Sequence, residues 1–161
     1  EESPEVTFED GLNKAKQMGI VEADPSGDID GYDAAVKSIC LARALLKTEV
    51  TMAGVKPLDG IRTVDQAAIA AARAEGGCRL MLVCKGSLVE APAPGVSCSV
   101  QLCKIPPSSP FHGIRGASSC LTISTDVLGA MTITQTDPTI RDTGFGLLAD
   151  FLEAIGWPEA K

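Results

Sequence analysis

Between Glu22 and Lys37 the chain reads EADPSGDIDGYDAAVK. Five carboxylates, Glu22, Asp24, Asp28, Asp30 and Asp33, crowd around Pro25, Gly27 and Gly31, and one ammonium, Lys37, ends the run. Asp33 and Lys37 lie four residues apart, so a helix sets both on one face. The proline and glycines ahead of them predict a turn feeding that helix. Carboxylates converging with one lysine suit a small zwitterion: the carboxylates take its ammonium and the lysine meets an oxygen. Two plainer readings compete. Acidic residues favour the positive end of a helix, which leaves Asp33–Lys37 as a surface pair of ~0.3–0.5 kcal/mol. A calcium loop with Gly31 sixth puts Ser26, Asp28 and Asp30 first, third and fifth. Its twelfth position is then Lys37, where a bidentate Glu is required, so calcium is excluded.

The segment resembles the substrate-binding segment of homoserine dehydrogenases, roughly E-x-D-P-x-x-D-x-x-G-x-D-x-x-x-K. Glu22, Asp24, Pro25, Asp28, Gly31, Asp33 and Lys37 match at the same spacing. TFEDGLNKAKQMGI resembles the helix before it, GIRTVDQAAIAAARAEGGCRLMLVCKG the following helix–strand unit, and PFHGIRGASSCLTISTDVLGAMTIT the late strand pair. The likeness covers most of residues 7–155. It implies that Glu22 holds a substrate amino group, that Asp28 and Asp33 make polar substrate contacts, and that Lys37 sits at the reacting oxygen, with Asp33 beside it. It also implies oxidation of L-homoserine to L-aspartate 4-semialdehyde with NAD or NADP, a step of threonine, methionine and isoleucine biosynthesis, and a homodimer joined through its sheet.

The departures from that family are specific. Its glycine fingerprint for a dinucleotide is missing, and GFG at 144–146 falls inside the last helix. The expectation is therefore that this chain alone binds no NAD or NADP, and that turnover needs a separate dinucleotide-binding domain. The family's second catalytic lysine and its NGT-type strand belong to parts outside this chain. A GPGAG loop usual before the final helix is replaced by QTDPTIRDTG, and an asparagine after PFHGIRGA by Ser118 or Ser119. A second reading thus stands beside the first: a non-catalytic descendant kept for small-molecule binding or assembly.

Composition narrows the classes. The chain has 161 residues, 45% of them hydrophobic, which suffices for a folded core. Its net charge of −7, with no Lys or Arg cluster, disfavours nucleic acid and anionic membranes. No stretch approaches the roughly 20 apolar residues that span a bilayer, and no secretory leader is evident. The start, EESPEV, lacks methionine, which fits a processed chain or a piece of a longer one. Six cysteines (Cys40, Cys78, Cys84, Cys98, Cys103, Cys120) form no C-x-x-C pair. They read as free thiols, with no zinc or other metal site, since only His112 could supplement them. The expected compartment is intracellular, cytoplasm or plastid.

These residues need elements to position them. Residues 1–6 and 157–161 read as tails around a single domain at 7–156. Thr7 and Asp10 predict a cap for a helix carrying Phe8, Leu12, Ala15 and Met18, ended by Gly19. Residues 20–30 read as loop. A second helix runs from about Gly31 to Lys47, with Ile39, Ala42, Leu45 and Leu46 apolar. EVTMAGV (49–55) is a candidate strand. Ile61, Thr63 and Gln66 predict a capped helix at 64–75, ended by Gly76–Gly77. CRLMLVC (78–84) reads as a strand buried on both faces. Strands follow near 87–91, 97–104, 118–125 and 129–135, and a last helix spans about Thr139–Ile155. The fold class is α+β: a mixed or mostly antiparallel sheet with helices on one face, the other face or edge serving dimerisation.

Overall fold

The computed structural model describes residues 6–21, 23–90 and 95–157. They form two compact units, divided between Pro107 and Ser108. The architecture is α+β.

In the first unit, α1 (Phe8–Gln17) starts at a capping box. The Asp10 amide donates to Thr7 Oγ1 at 3.1 Å, and the Thr7 amide and hydroxyl donate to Asp10 Oδ2 at 3.1 and 2.6 Å. Those bonds hold the Asp10 carboxyl below its ordinary range. Residues 20–30 are not all loop. A one-turn helix, α2 (Ser26–Ile29), forms there because Asp24 Oδ1 accepts from the Ser26 amide at 3.0 Å just ahead of it. Next, α3 (Tyr32–Leu46) begins at Gly31, whose φ is +81°. Its fully buried residues are Ala35, Ser38 and Ala42, with Ile39 and Leu46 partly buried against the core; of the expected apolar side only Leu45 is exposed. Small side chains let the helix lie close on the sheet.

The first sheet has order β1-β3-β2, with β1 (Val55–Leu58) parallel to β3 (Gly95–Ile105) and β2 (Arg79–Val89) antiparallel to it. The expected strand at 49–55 is displaced: Met52–Gly54 is a 3-10 turn and the strand starts at Val55, running through Pro57. Proline survives because β1 is an edge strand. The helix α4 (Gln66–Ala74) is capped by Asp65, which accepts from the Ala68 amide at 2.7 Å; Thr63 is not the cap. Gln66 reaches the Val6 carbonyl at 2.7 Å instead of closing a box. Gly76 and Gly77 (φ +69° and +77°) then turn the chain into β2.

The run expected at 78–84 starts as strand only at Arg79, continues as one strand of 11 residues to Val89, and is not buried on both faces. Alternation decides its exposure: Leu82, Cys84 and Gly86 share the face of Leu102, Val100 and Cys98, their register partners. That face meets α3. The core there is Ala35, Ala42, Val50, Val55, Cys98 and Val100, with Ile39, Leu46 and Leu82 against it. A Cβ at Gly86 would lie 3.8 Å from both Ala42 Cβ and Cys98 Sγ, so the glycine admits the helix closely. Val100 is fully buried, a contribution of about 1.5–3 kcal/mol. The opposite face carries a recess of about 340 Å³ lined by Lys56, Pro57, Lys85, Ser87, Ser97, Ser99 and Gln101.

The second unit contains a 3-10 turn (Pro110–Gly113), the hairpin of β4 (Ser119–Thr125) with β5 (Gly129–Gln135), and α5 (Ile140–Ala154). His112 lies in that 3-10 turn rather than in open loop. In the hairpin, Leu121 pairs Ile133 and Ile123 pairs Met131 on one face, while Cys120–Thr134 and Thr122–Thr132 occupy the other. The Thr139 amide and hydroxyl donate to Asp142 Oδ2 at 2.6 and 2.8 Å, which starts α5. GFG at 144–146 lies within that helix. Residues 1–5 and 158–161, on which most of the expected tails fall, are outside the described residues.

Candidate functional site

Helix α3 gathers the pair that the sequence singles out. Lys37 Nζ lies 2.6 Å from Asp33 Oδ2, one turn apart on the helix, with side chains 71% and 47% exposed. Exposure on that scale makes the pair worth little as a stabiliser, ~0.3–0.5 kcal/mol. It leaves both groups open to a ligand. Asp28 lies on α2, directly before α3, and is exposed; no ion pair engages it among the described residues. Glu22 is outside the described residues.

The other two acidic residues of the segment are structural. Asp24 accepts from the Ser26 amide, and the Ser26 bonds hold its carboxyl low. Asp30 accepts from Arg62 Nε and Nη2, both at 2.8 Å, in a two-pronged ion pair. The guanidinium hydrogen bonds lower the Asp30 carboxyl and raise the Arg62 guanidinium. Arg62 went unnoticed in the sequence because its partner lies 32 residues away.

Around that ion pair the backbones of two loops touch. The Ile61 amide donates to the Ile29 carbonyl at 2.8 Å. A Cβ at Gly31 would sit 2.1 Å from the Asp59 carbonyl oxygen, and one at Gly60 would sit 2.4 Å from the Ile29 carbonyl oxygen. Both positions therefore require glycine, and Gly31 does so twice, through its φ as well. Asp59 fastens the second loop to the sheet. Its amide donates to the Val100 carbonyl at 2.9 Å, and its Oδ2 accepts from the Leu102 amide at 3.1 Å.

A thiol completes the neighbourhood. Cys84 Sγ donates to the Ala34 carbonyl at 3.2 Å, which ties β2 to the first turn of α3. The residue is exposed, yet partial desolvation of the thiol pushes it up; Lys37 opposes that rise and Asp33 adds to it. Asp28, Asp33 and Lys37 take no part in the recess on the far sheet face.

The family model for homoserine dehydrogenase matches residues 1–152. The chain belongs to the homoserine dehydrogenase family. The NAD(+)-dependent homoserine dehydrogenase of Pseudomonas canavaninivorans is 28% identical over 145 residues, 90% of this chain and 40% of that protein. The homoserine dehydrogenase of Mycobacterium tuberculosis is 30% identical over 125 residues, 77% of this chain and 28% of that protein. The crystal structure of Staphylococcus aureus homoserine dehydrogenase at pH 7.5 superposes with a TM-score of 0.80 at 25% identity, over 93% of this chain and 36% of that one. The chain thus spans less than half the length of these homoserine dehydrogenases.

Two departures from the family pattern meet in the second unit. Asp137, in the segment that replaces the glycine-rich loop, has φ +46°, a region that favours glycine. Its amide donates to Ser118 Oγ at 3.0 Å; Ser118, with Ser119, is one of the two serines set against the asparagine expected from the family resemblance.

Proposed function

We propose that this chain is the substrate-binding portion of a homoserine dehydrogenase, acting on L-homoserine and L-aspartate 4-semialdehyde with NAD or NADP. The observation that carries the reading is the Asp33–Lys37 pair, presented open on α3 within the segment that matches the family's substrate site. A homoserine ammonium is met by the carboxylates of Glu22 and Asp28. The Lys37 ammonium meets the substrate hydroxyl, and Asp33, 2.6 Å from it, orients it there. As the hydroxyl becomes a carbonyl its proton must leave, and a cation at that oxygen stabilises the charge that develops.

A nicotinamide dinucleotide finds no holder of the usual kind among the described residues: none of the strands leads into a glycine-rich turn, and the GFG sequence is helical. In this reading the portion supplies substrate contacts, and the dinucleotide is held by another domain. The same reading makes the protein a homodimer, supported by the apolar face that β4 and β5 leave open.

The test is a pair of variants in the protein that joins this chain to its dinucleotide-binding domain. Lys37→Ala lowers kcat, because its contact with oxygen strengthens as charge develops. Glu22→Ala raises KM, because the substrate ammonium is charged throughout. Losing one charge-assisted contact corresponds to about 1.5–3 kcal/mol, roughly 10- to 150-fold. Near-parental kinetics for Lys37→Ala removes the catalytic role. It would favour the non-catalytic reading, to which the Asp137–Ser118 contact in place of a glycine loop already points.

A further inference from the structure

The acidic segment and the loop before α4 are far apart in sequence, yet four separate contacts join them. These are the bidentate Arg62–Asp30 pair, the Ile61–Ile29 backbone bond, and the two glycine approaches at Gly31 and Gly60. On its other side this loop is bonded to β3 through Asp59. The result is a continuous path from the central strand to the residue that starts α3. Gly31 is that residue, and Asp33 and Lys37 follow it within two turns.

We infer that Gly60, Ile61 and Arg62 form a clasp that positions the Asp33–Lys37 pair, with Arg62 as its positioning residue. The assignment rests on the homoserine dehydrogenase reading of that pair. The physical reason lies in how α3 is held. Its larger inward residues, Ile39 and Leu46, pack against the core further along the helix, while the first turn is seated only through the small Ala34 and Ala35. What fixes its first turns is the pinned start at Gly31 and the Cys84–Ala34 bond. A lysine that must meet a reacting oxygen tolerates little displacement, since a shift of about 1 Å can cost on the order of 100-fold in rate. Arg62 does not touch the pair, so its effect passes through the helix start.

Cys84 is a built-in reporter of that placement. Its thiol is held at the Ala34 carbonyl, whereas Cys103 lies on the opposite face of the sheet. Site-resolved alkylation of the chain, read by peptide mass spectrometry, measures both. Arg62→Gln is expected to speed alkylation of the exposed Cys84 by roughly threefold or more, because a shifted helix start releases its thiol from the Ala34 carbonyl, with Cys103 unchanged and the melting midpoint lowered only slightly. Arg62→Lys retains the charge and restores part of the protection. In the protein joined to its dinucleotide-binding domain, Arg62→Gln is expected to lower kcat about tenfold, with KM moved less than twofold. An unchanged Cys84 rate overturns the clasp, and so does a parallel rise at Cys84 and Cys103, which would mean general loosening. Lys37→Ala separates the two claims. If it leaves kcat intact, the catalytic reading fails by itself. If it lowers kcat while Arg62→Gln alters neither kcat nor Cys84, the clasp alone fails. Gly60→Ala is the severe variant, because its Cβ would meet the Ile29 carbonyl oxygen at 2.4 Å.

Discussion

Ser38 is the one residue of the α3 interface whose chemistry opposes its place. It is 3% exposed, and its hydroxyl finds no hydrogen-bond partner among the described residues. Its neighbours along the same face, Ala35 and Ala42, show what the site accepts. A buried hydroxyl left unsatisfied costs about 1–3 kcal/mol, and alanine is the better helix former. Ser38→Ala is therefore expected to raise stability by about 0.5–1.5 kcal/mol, read as a higher denaturant midpoint with an unchanged slope. A fall in midpoint would mean that the hydroxyl has a partner in the assembled protein. Residue-scale legibility was good where chemistry is local. Asp33 and Lys37 meet because a helix brings i and i+4 together, which spacing alone discloses. Arg62 was not legible, since nothing near it names Asp30 as its partner.

The elements themselves were read best where their ends are marked by side chains. Thr7–Asp10 announced α1, and Gly76–Gly77 announced the end of α4. Sequence misleads where two caps compete: Thr63 and Asp65 both precede α4, and the carboxylate, the stronger acceptor, takes the role. At β1, Pro57 masks a strand that tertiary pairing creates. The acidic segment has an element-scale consequence in pH. Asp24 and Asp30, like Asp10 and Asp142, are held below the ordinary carboxylate value by the bonds they accept. A lowered carboxyl contributes stability fully above its unfolded value, about 3.9, and loses it as pH falls through the folded value. The denaturant midpoint should accordingly hold from pH 7 to about 5 and decline below about 4. Arg62→Gln removes the chief cause at Asp30, so its decline should be shallower. An equal slope in parent and variant would show that the ion pair contributes nothing to acid sensitivity.

At the scale of the whole molecule, the fold class was legible from element order, because helices lead and strands dominate the second half. Whether a partner covers the exposed apolar surface is not legible, since sequence periodicity names no occupant. Ile133 and Met131 are 61% and 41% exposed on the face they share with Leu121 and Ile123. A contiguous apolar face of this kind marks an interaction surface. The occupant implied by the family resemblance is a second copy. Each copy carries a net charge of −7, so two copies repel at long range while the apolar strips attract at contact. Salt screens the first effect within about 8 Å at physiological ionic strength and leaves the second in place. Sedimentation at micromolar concentration should therefore show a dimer whose association strengthens between low and moderate salt. Ile133→Asp puts a carboxylate into the strip of each copy and should yield monomer, with the circular dichroism of the parent retained. A parent that sediments as a monomer at every salt concentration would reject self-association. A dimer that weakens with salt would place the interface on ion pairs and away from this hairpin.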